Sequence, residues 1–74
     1  MKTLNDLTKG DCATVVRVTD DNQVGRRMRE MGIVSGTSLQ VLGEAPLRDP
    51  IVVKVFDTVL SVRRSEAICV VVER

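Results

Sequence analysis

Seventy-four residues with a formal net charge of +1 are expected to form one domain over 1-74, and they exclude a strongly basic domain that rides along nucleic acid by phosphate neutralisation alone. Histidine is absent, which removes the commonest general base and the commonest transition-metal ligand and makes catalysis a poor expectation. Hydrophobic residues make up 43% of the chain but only one is aromatic, so the core must come from Val, Leu, Ile and Met, a set that leans toward strands.

In chain order, Leu4 and Leu7 fit a single turn that lays two leucines on the core, and Lys9-Gly10-Asp11 reads as a turn. A strand follows over 12-19, with Cys12, Thr14, Val16 and Val18 on one face and Ala13, Val15, Arg17 and Thr19 on the other; Arg17 marks the second face as the wetter. Asp20, Asp21 and Asn22 break that strand. Across about residues 22-31, Val24, Met28 and Met31 stand at i, i+4 and i+7 and predict a short helix with one packed face. Asp21 or Asn22 is expected to cap its start, and Gly32 its end. Gly36 lies in the turn that launches a second strand over 38-42, which Gly43 is expected to end.

Gly43 to Pro50 has two prolines around charged residues and reads as an exposed loop or hairpin connection. Ile51, Val53 and Val55 then alternate with Val52, Lys54 and Phe56, and Asp57-Thr58 is the expected tight turn into a strand over 59-63. Residues 64-67 interrupt the pattern, and 68-72 form a last apolar strand. The expectation is mainly β: five strands in a small closed or nearly closed barrel with one short inserted helix, since an open sheet this apolar leaves adhesive edges.

Cys12 and Cys69 fall in apolar runs and read as small buried hydrophobes; without a histidine neither has a partner for nucleophilic work. Asp20, Asp21, Asp49 and Asp57 sit in turns, where aspartate bonds the backbone, and form no oxygen cage. Two thiols alone do not close a four-ligand metal site, so neither metal nor cofactor is expected. Gly32-x-x-x-Gly36 lacks the Lys-Ser/Thr of a phosphate loop. No apolar run approaches the roughly 18 residues needed to cross a bilayer, and the first residues lack the order of a signal peptide, so a cytosolic setting is expected. Arg26, Arg27 and Arg29 on the helix, with Arg63 and Arg64 after the fourth strand, would make a local positive face if adjacent, although an Arg26 to Glu30 pair on a solvated helix is the plainer reading. Outward Val52 and Phe56, and Leu47 on the proline loop, offer apolar contacts to a partner. Pro46 and Arg48 flank Leu47 and complete that candidate partner-binding set; Val24, Met28, Met31, Gly32 and Gly36 are the structural set.

The order Leu4-x-x-Leu7-x-x-Gly10, Arg27-Met28-x-x-Met31-Gly32 with Gly36-Thr37, Ala45-Pro46-Leu47-x-Asp49-Pro50-Ile51 and Glu66-Ala67 before Ile68 and Val70 resembles the FeoA family of bacterial ferrous iron transport over almost the whole chain. The resemblance implies an SH3-like β barrel with an inserted helix. It also implies transition-metal binding as a family property and FeoB, the membrane ferrous iron permease with a cytosolic GTPase domain, as partner. Nucleic acid is disfavoured as a partner, and direct membrane insertion is not expected. Because the same fold forms the C-terminal domain of iron-responsive repressors of the diphtheria-toxin type, a regulatory or nucleic-acid-binding module is the second expectation. Departures are Met28 where leucine is usual, Arg48 where glycine is frequent, and Asp57-Thr58 where a glycine often marks the hairpin.

Overall fold

Short strands that are apolar on one side need neighbours along their edges and a cover for that side, and the chain supplies both. The computed structural model describes residues 2-20 and 22-74. Strands β1 (Lys2–Thr3), β2 (Cys12–Val18), β3 (Ser38–Glu44), β4 (Ile51–Val55), β5 (Thr58–Val62) and β6 (Val70–Glu73) form one antiparallel sheet in the order β1-β6-β2-β3-β4-β5. The helices are α1 (Gln23–Glu30) and the one-turn α2 (Arg64–Ala67). The expected five strands become six, because Lys2 and Thr3 pair with Val72 and Val71; a two-residue strand is too short to show alternation.

Buried residues from β2 through β6 meet in a single cluster: Ala13, Val15, Leu39, Val41, Ile51, Val53, Val55, Val62, Val70 and Val72. The sheet therefore curls around its own apolar face. Leu4 and Leu7, from the 3₁₀ turn Leu4–Asp6 and the residue after it, plug the cluster together with Met28 of α1 and with Ile33. Val24 and Met31 pack against it from the same helix face. The end of α1 is closed by Gly32, at φ +86, with Gly32 N–H donating to Arg29 C=O (3.0 Å) and Ile33 N–H to Met28 C=O (2.8 Å). This crossed pair needs a left-handed residue after the helix, the conformation glycine adopts without penalty, and it draws Ile33 back over Met28. Gly36 (φ +90) turns the chain into β3, and the buried Thr37 hydroxyl donates to Gly32 C=O at 3.0 Å.

Three expectations about the strands change. In β2 the pairing jumps from Val15↔Val72 to Arg17↔Val71, so Val16 is the extra residue of a bulge. Ala13 and Val15 are the buried side, and beyond the bulge Arg17 points out and Val18 in, the reverse of strict alternation. As a consequence Cys12 is exposed; Cys69, in the turn between α2 and β6, is half-buried, and neither thiol belongs to the core. In β3 a second register shift between Val41 and Gly43 absorbs Leu42, so the strand runs on to Glu44 instead of ending at Gly43. The β4–β5 hairpin closes on Val55↔Thr58. Its turn is Phe56-Asp57, not Asp57-Thr58, with Phe56 at φ +55.

Candidate partner-binding surface

The start of α1 is fixed by its neighbours more than by its own cap. Asn22 makes no side-chain capping bond; instead its N–H donates to Asp20 Oδ1 at 2.6 Å. Asp21, the other expected cap, lies outside the described residues. The Asp20 carbonyl then packs onto Gly25, where a Cβ would stand 1.8 Å from that oxygen. Only glycine permits that approach. Gly25 is missing from the sequence reading, although a glycine inside a helical pattern is the signal that could have found it.

The arginines divide into two groups. Arg27 Nε lies 3.0 Å from Glu66 Oε2, and Glu66 Oε1 accepts the Arg63 N–H at 3.1 Å. Glu66 is 8% exposed, so this carboxylate both caps α2 and ties it to α1. Residues 64-67, expected as a break in the strand pattern, are that helix. Arg64 is wholly engaged: its backbone N–H donates to Asp49 Oδ1 (3.0 Å), Nε to Arg48 C=O (2.7 Å) and Nη1 to both oxygens of Asn5 (3.2 Å), and Nη2 pairs with Glu44. One guanidinium thus fastens the first 3₁₀ turn, the end of β3 and the proline loop. Arg26 and Arg29 are exposed and carry no ion pair among the described residues, so the expected Arg26 to Glu30 pair is not formed. Arg63 is exposed and meets Arg27 beside Asp49, Pro50 and Ser61 around a pocket of about 290 Å³.

Between β3 and β4 the loop is held at its neck by Ala45 N–H to Pro50 C=O and by Arg48 N–H to Ala45 C=O, both 2.9 Å. Within it Leu47 (φ +68) and Arg48 (φ +69) are consecutive left-handed residues. Neither is glycine, and each carries the Cβ strain of that region. Pro46 is exposed and Leu47 is 97% exposed. The Arg48 side chain reaches only a loose 3.7 Å pair with Glu44. Arg48 takes its left-handed shape at the position where glycine is frequent in the family pattern. Val52, on the outer side of β4, is half-buried, whereas Phe56 is 77% exposed on the hairpin turn. Phe56 lines a surface pocket with Cys12, Gln40, Lys54 and Arg74, a set that does not include Leu47.

The Asp11 carboxylate accepts the Thr8 N–H at 2.8 Å and pairs with Arg74 at 2.8 Å. The bond from the Thr8 backbone, followed by the Arg74 charge against partial burial, holds it below the usual value of 3.8. Among the described residues no three His, Cys, Asp or Glu side chains stand close enough to hold a metal ion. None of the described helices is long and apolar enough to cross a membrane.

The FeoA domain model matches residues 2–74. The chain belongs to the FeoA family. It is 40% identical over 70 residues to an Fe(2+) transport protein A/Fe(2+) transporter FeoB fusion protein of Porphyromonas gingivalis, covering 95% of this chain and 8% of that protein. The solution structure of iron(II) transport protein A from Clostridium thermocellum superimposes with a TM-score of 0.91 at 30% identity, over 97% of this chain and 44% of the other. FeoA of Stenotrophomonas maltophilia, crystallised with zinc and described as a prokaryotic SH3 domain protein, is 34% identical with a TM-score of 0.87, over 99% of this chain and 91% of that one. The fold is thus the SH3-like barrel of FeoA proteins in ferrous iron transport. The manganese regulator SloR, at 20% identity and a TM-score of 0.85 over 99% of this chain and 34% of its own, shares the fold alone.

Proposed function

We propose that this chain is a non-enzymatic accessory module of ferrous iron uptake that acts in the cytoplasm and binds the cytosolic part of a FeoB-type permease. The observation that carries the docking reading is Leu47, an apolar side chain 97% exposed on a loop held in a strained conformation. A leucine gains nothing for folding there and gains about 1.5 to 3 kcal/mol when a partner covers it. The choice of partner is supported by the Porphyromonas gingivalis relative, whose name joins both proteins in one chain. Fusion keeps the local concentration of a tethered module high, so a weak contact suffices. Pro46 and Arg48 flank the anchor on the same loop.

Calorimetric titration of the chain against the soluble GTPase-containing part of its cognate permease tests the reading. A complex is expected, with Leu47→Ala weakening it about tenfold or more, the loss of one buried leucine anchor. Absence of binding at about 0.5 mM, an energy near 4.5 kcal/mol, would overturn it.

A further inference from the structure

Strand β5 ends the sheet: among the described residues it pairs only with β4. The hairpin geometry decides which of its backbone groups are free. A two-residue turn makes Val55↔Thr58 a hydrogen-bonded pair, and pairs alternate from there, so Leu60 and Val62 also bond β4. The N–H and C=O groups of Val59 and Ser61 therefore point away from β4 to the open edge. Val59 is 59% exposed, and Ser61, Asp57 and Arg63 are exposed as well. An uncovered row of donors and acceptors is a template for another strand.

We infer that the occupant is the β5 edge of a second copy of this chain, paired antiparallel about a twofold axis at Leu60. The segment from Asp57 to Arg63 is complementary to itself in one register. Setting Leu60 opposite its own copy places Val59 opposite Ser61 and Asp57 opposite Arg63 at both ends. Both Val59 and Ser61 present outward groups, so the two pairs form about four N–H···O bonds across the axis. Centring the axis on Val59 or on Ser61 also matches the backbone groups, but leaves Asp57 and Arg63 without each other. Only the Leu60 register brings the Asp57 and Arg63 charges, which bound β5 at its two ends, toward each other across the axis. The interface is isologous and closes at two copies, which also removes the free edge. This inference does not depend on the permease reading, since it uses β5 and not the proline loop.

Sedimentation equilibrium on the whole chain, from about 10 µM to 1 mM to span weak interfaces, is expected to show a monomer–dimer equilibrium. Val59→Pro removes an N–H that serves only the edge, so this variant keeps the β4 ladder and should be monomeric with an unchanged circular dichroism spectrum. Asp57→Arg and Arg63→Asp each put like charges together twice and should weaken the dimer about tenfold, while the double variant carrying both should recover it. A strictly monomeric chain at the highest concentration, a Val59→Pro dimer as tight as the native one, or a double variant no tighter than the singles would each overturn the proposal.

Discussion

Replacing Leu47 by glycine separates what the proline loop does for folding from what it does for binding. Leu47 sits at φ +68 with its side chain in water, so truncation removes left-handed strain and forfeits almost no packing. That strain is about 1 to 2 kcal/mol for a residue with a Cβ. Glycine returns about 0.5 to 1 kcal/mol of it through the larger entropy of the unfolded chain. The net expectation is a gain of about 0.5 to 1 kcal/mol, and at about 4 to 8 °C per kcal/mol for a domain of this size the midpoint of thermal unfolding should rise by several degrees. Leu47→Ala is the matched control: it keeps the Cβ, so the strain stays and the midpoint should not move. Both variants lose the anchor and should bind the permease domain about tenfold more weakly. Differential scanning calorimetry reads the first quantity and titration the second. A lower midpoint for the glycine variant, an equal rise for alanine, or undiminished binding by either would refute the reasoning.

Glu66→Ala removes the α2 cap and the Arg27 pair together and should cost about 1 to 2 kcal/mol in urea unfolding, whereas Arg27→Ala, half-exposed, should cost below about 1 kcal/mol. Gly25→Ala drives a Cβ into the Asp20 carbonyl at 1.8 Å; α1 must shift, and a loss of about 1 to 3 kcal/mol or more is expected by the same measurement. Phe56→Gly places the favoured residue at the left-handed position of the hairpin and should raise the unfolding midpoint, since the ring is mostly in water. Because the folded state lowers the Asp11 pKa, its contribution is present above 3.8 and is lost as pH falls through the lower folded value. The native chain should therefore be more stable than Asp11→Asn at neutral pH, and the two thermal midpoints should converge in acid below that window.

Where sequence alternation is unbroken the elements can be read directly. Ile51, Val53 and Val55 are all buried, as their period of two requires, and Met28 with its helix neighbours follows from a period near 3.6. Each misreading traces to an event that one chain cannot display. The Val16 bulge reverses the sides of β2 beyond it and exposes Cys12, yet a bulge is defined by the partner strand, which lies more than fifty residues away. Strand β1 has two residues, and only β6 makes it a strand. In the same way α2 is one turn long, too short for any period, and exists because Glu66 caps it and Arg27, remote in sequence, holds it.

The arginines show why charge resists reading by composition. Five of them cluster in sequence on or beside two short elements, and counting alone makes them one basic face. Geometry assigns Arg64 to a carboxylate, an amide side chain and two backbone carbonyls, and Arg27 to a buried glutamate. Those two are fasteners, and their removal acts on stability first. Arg26 and Arg29 on α1, and Arg63 just after β5, are the other three of the five, and all are exposed. Salt should therefore weaken permease binding only shallowly, because few exposed charges lie near the apolar anchor. A steep salt dependence would instead mean that the exposed arginines, and not the apolar anchor, carry the contact.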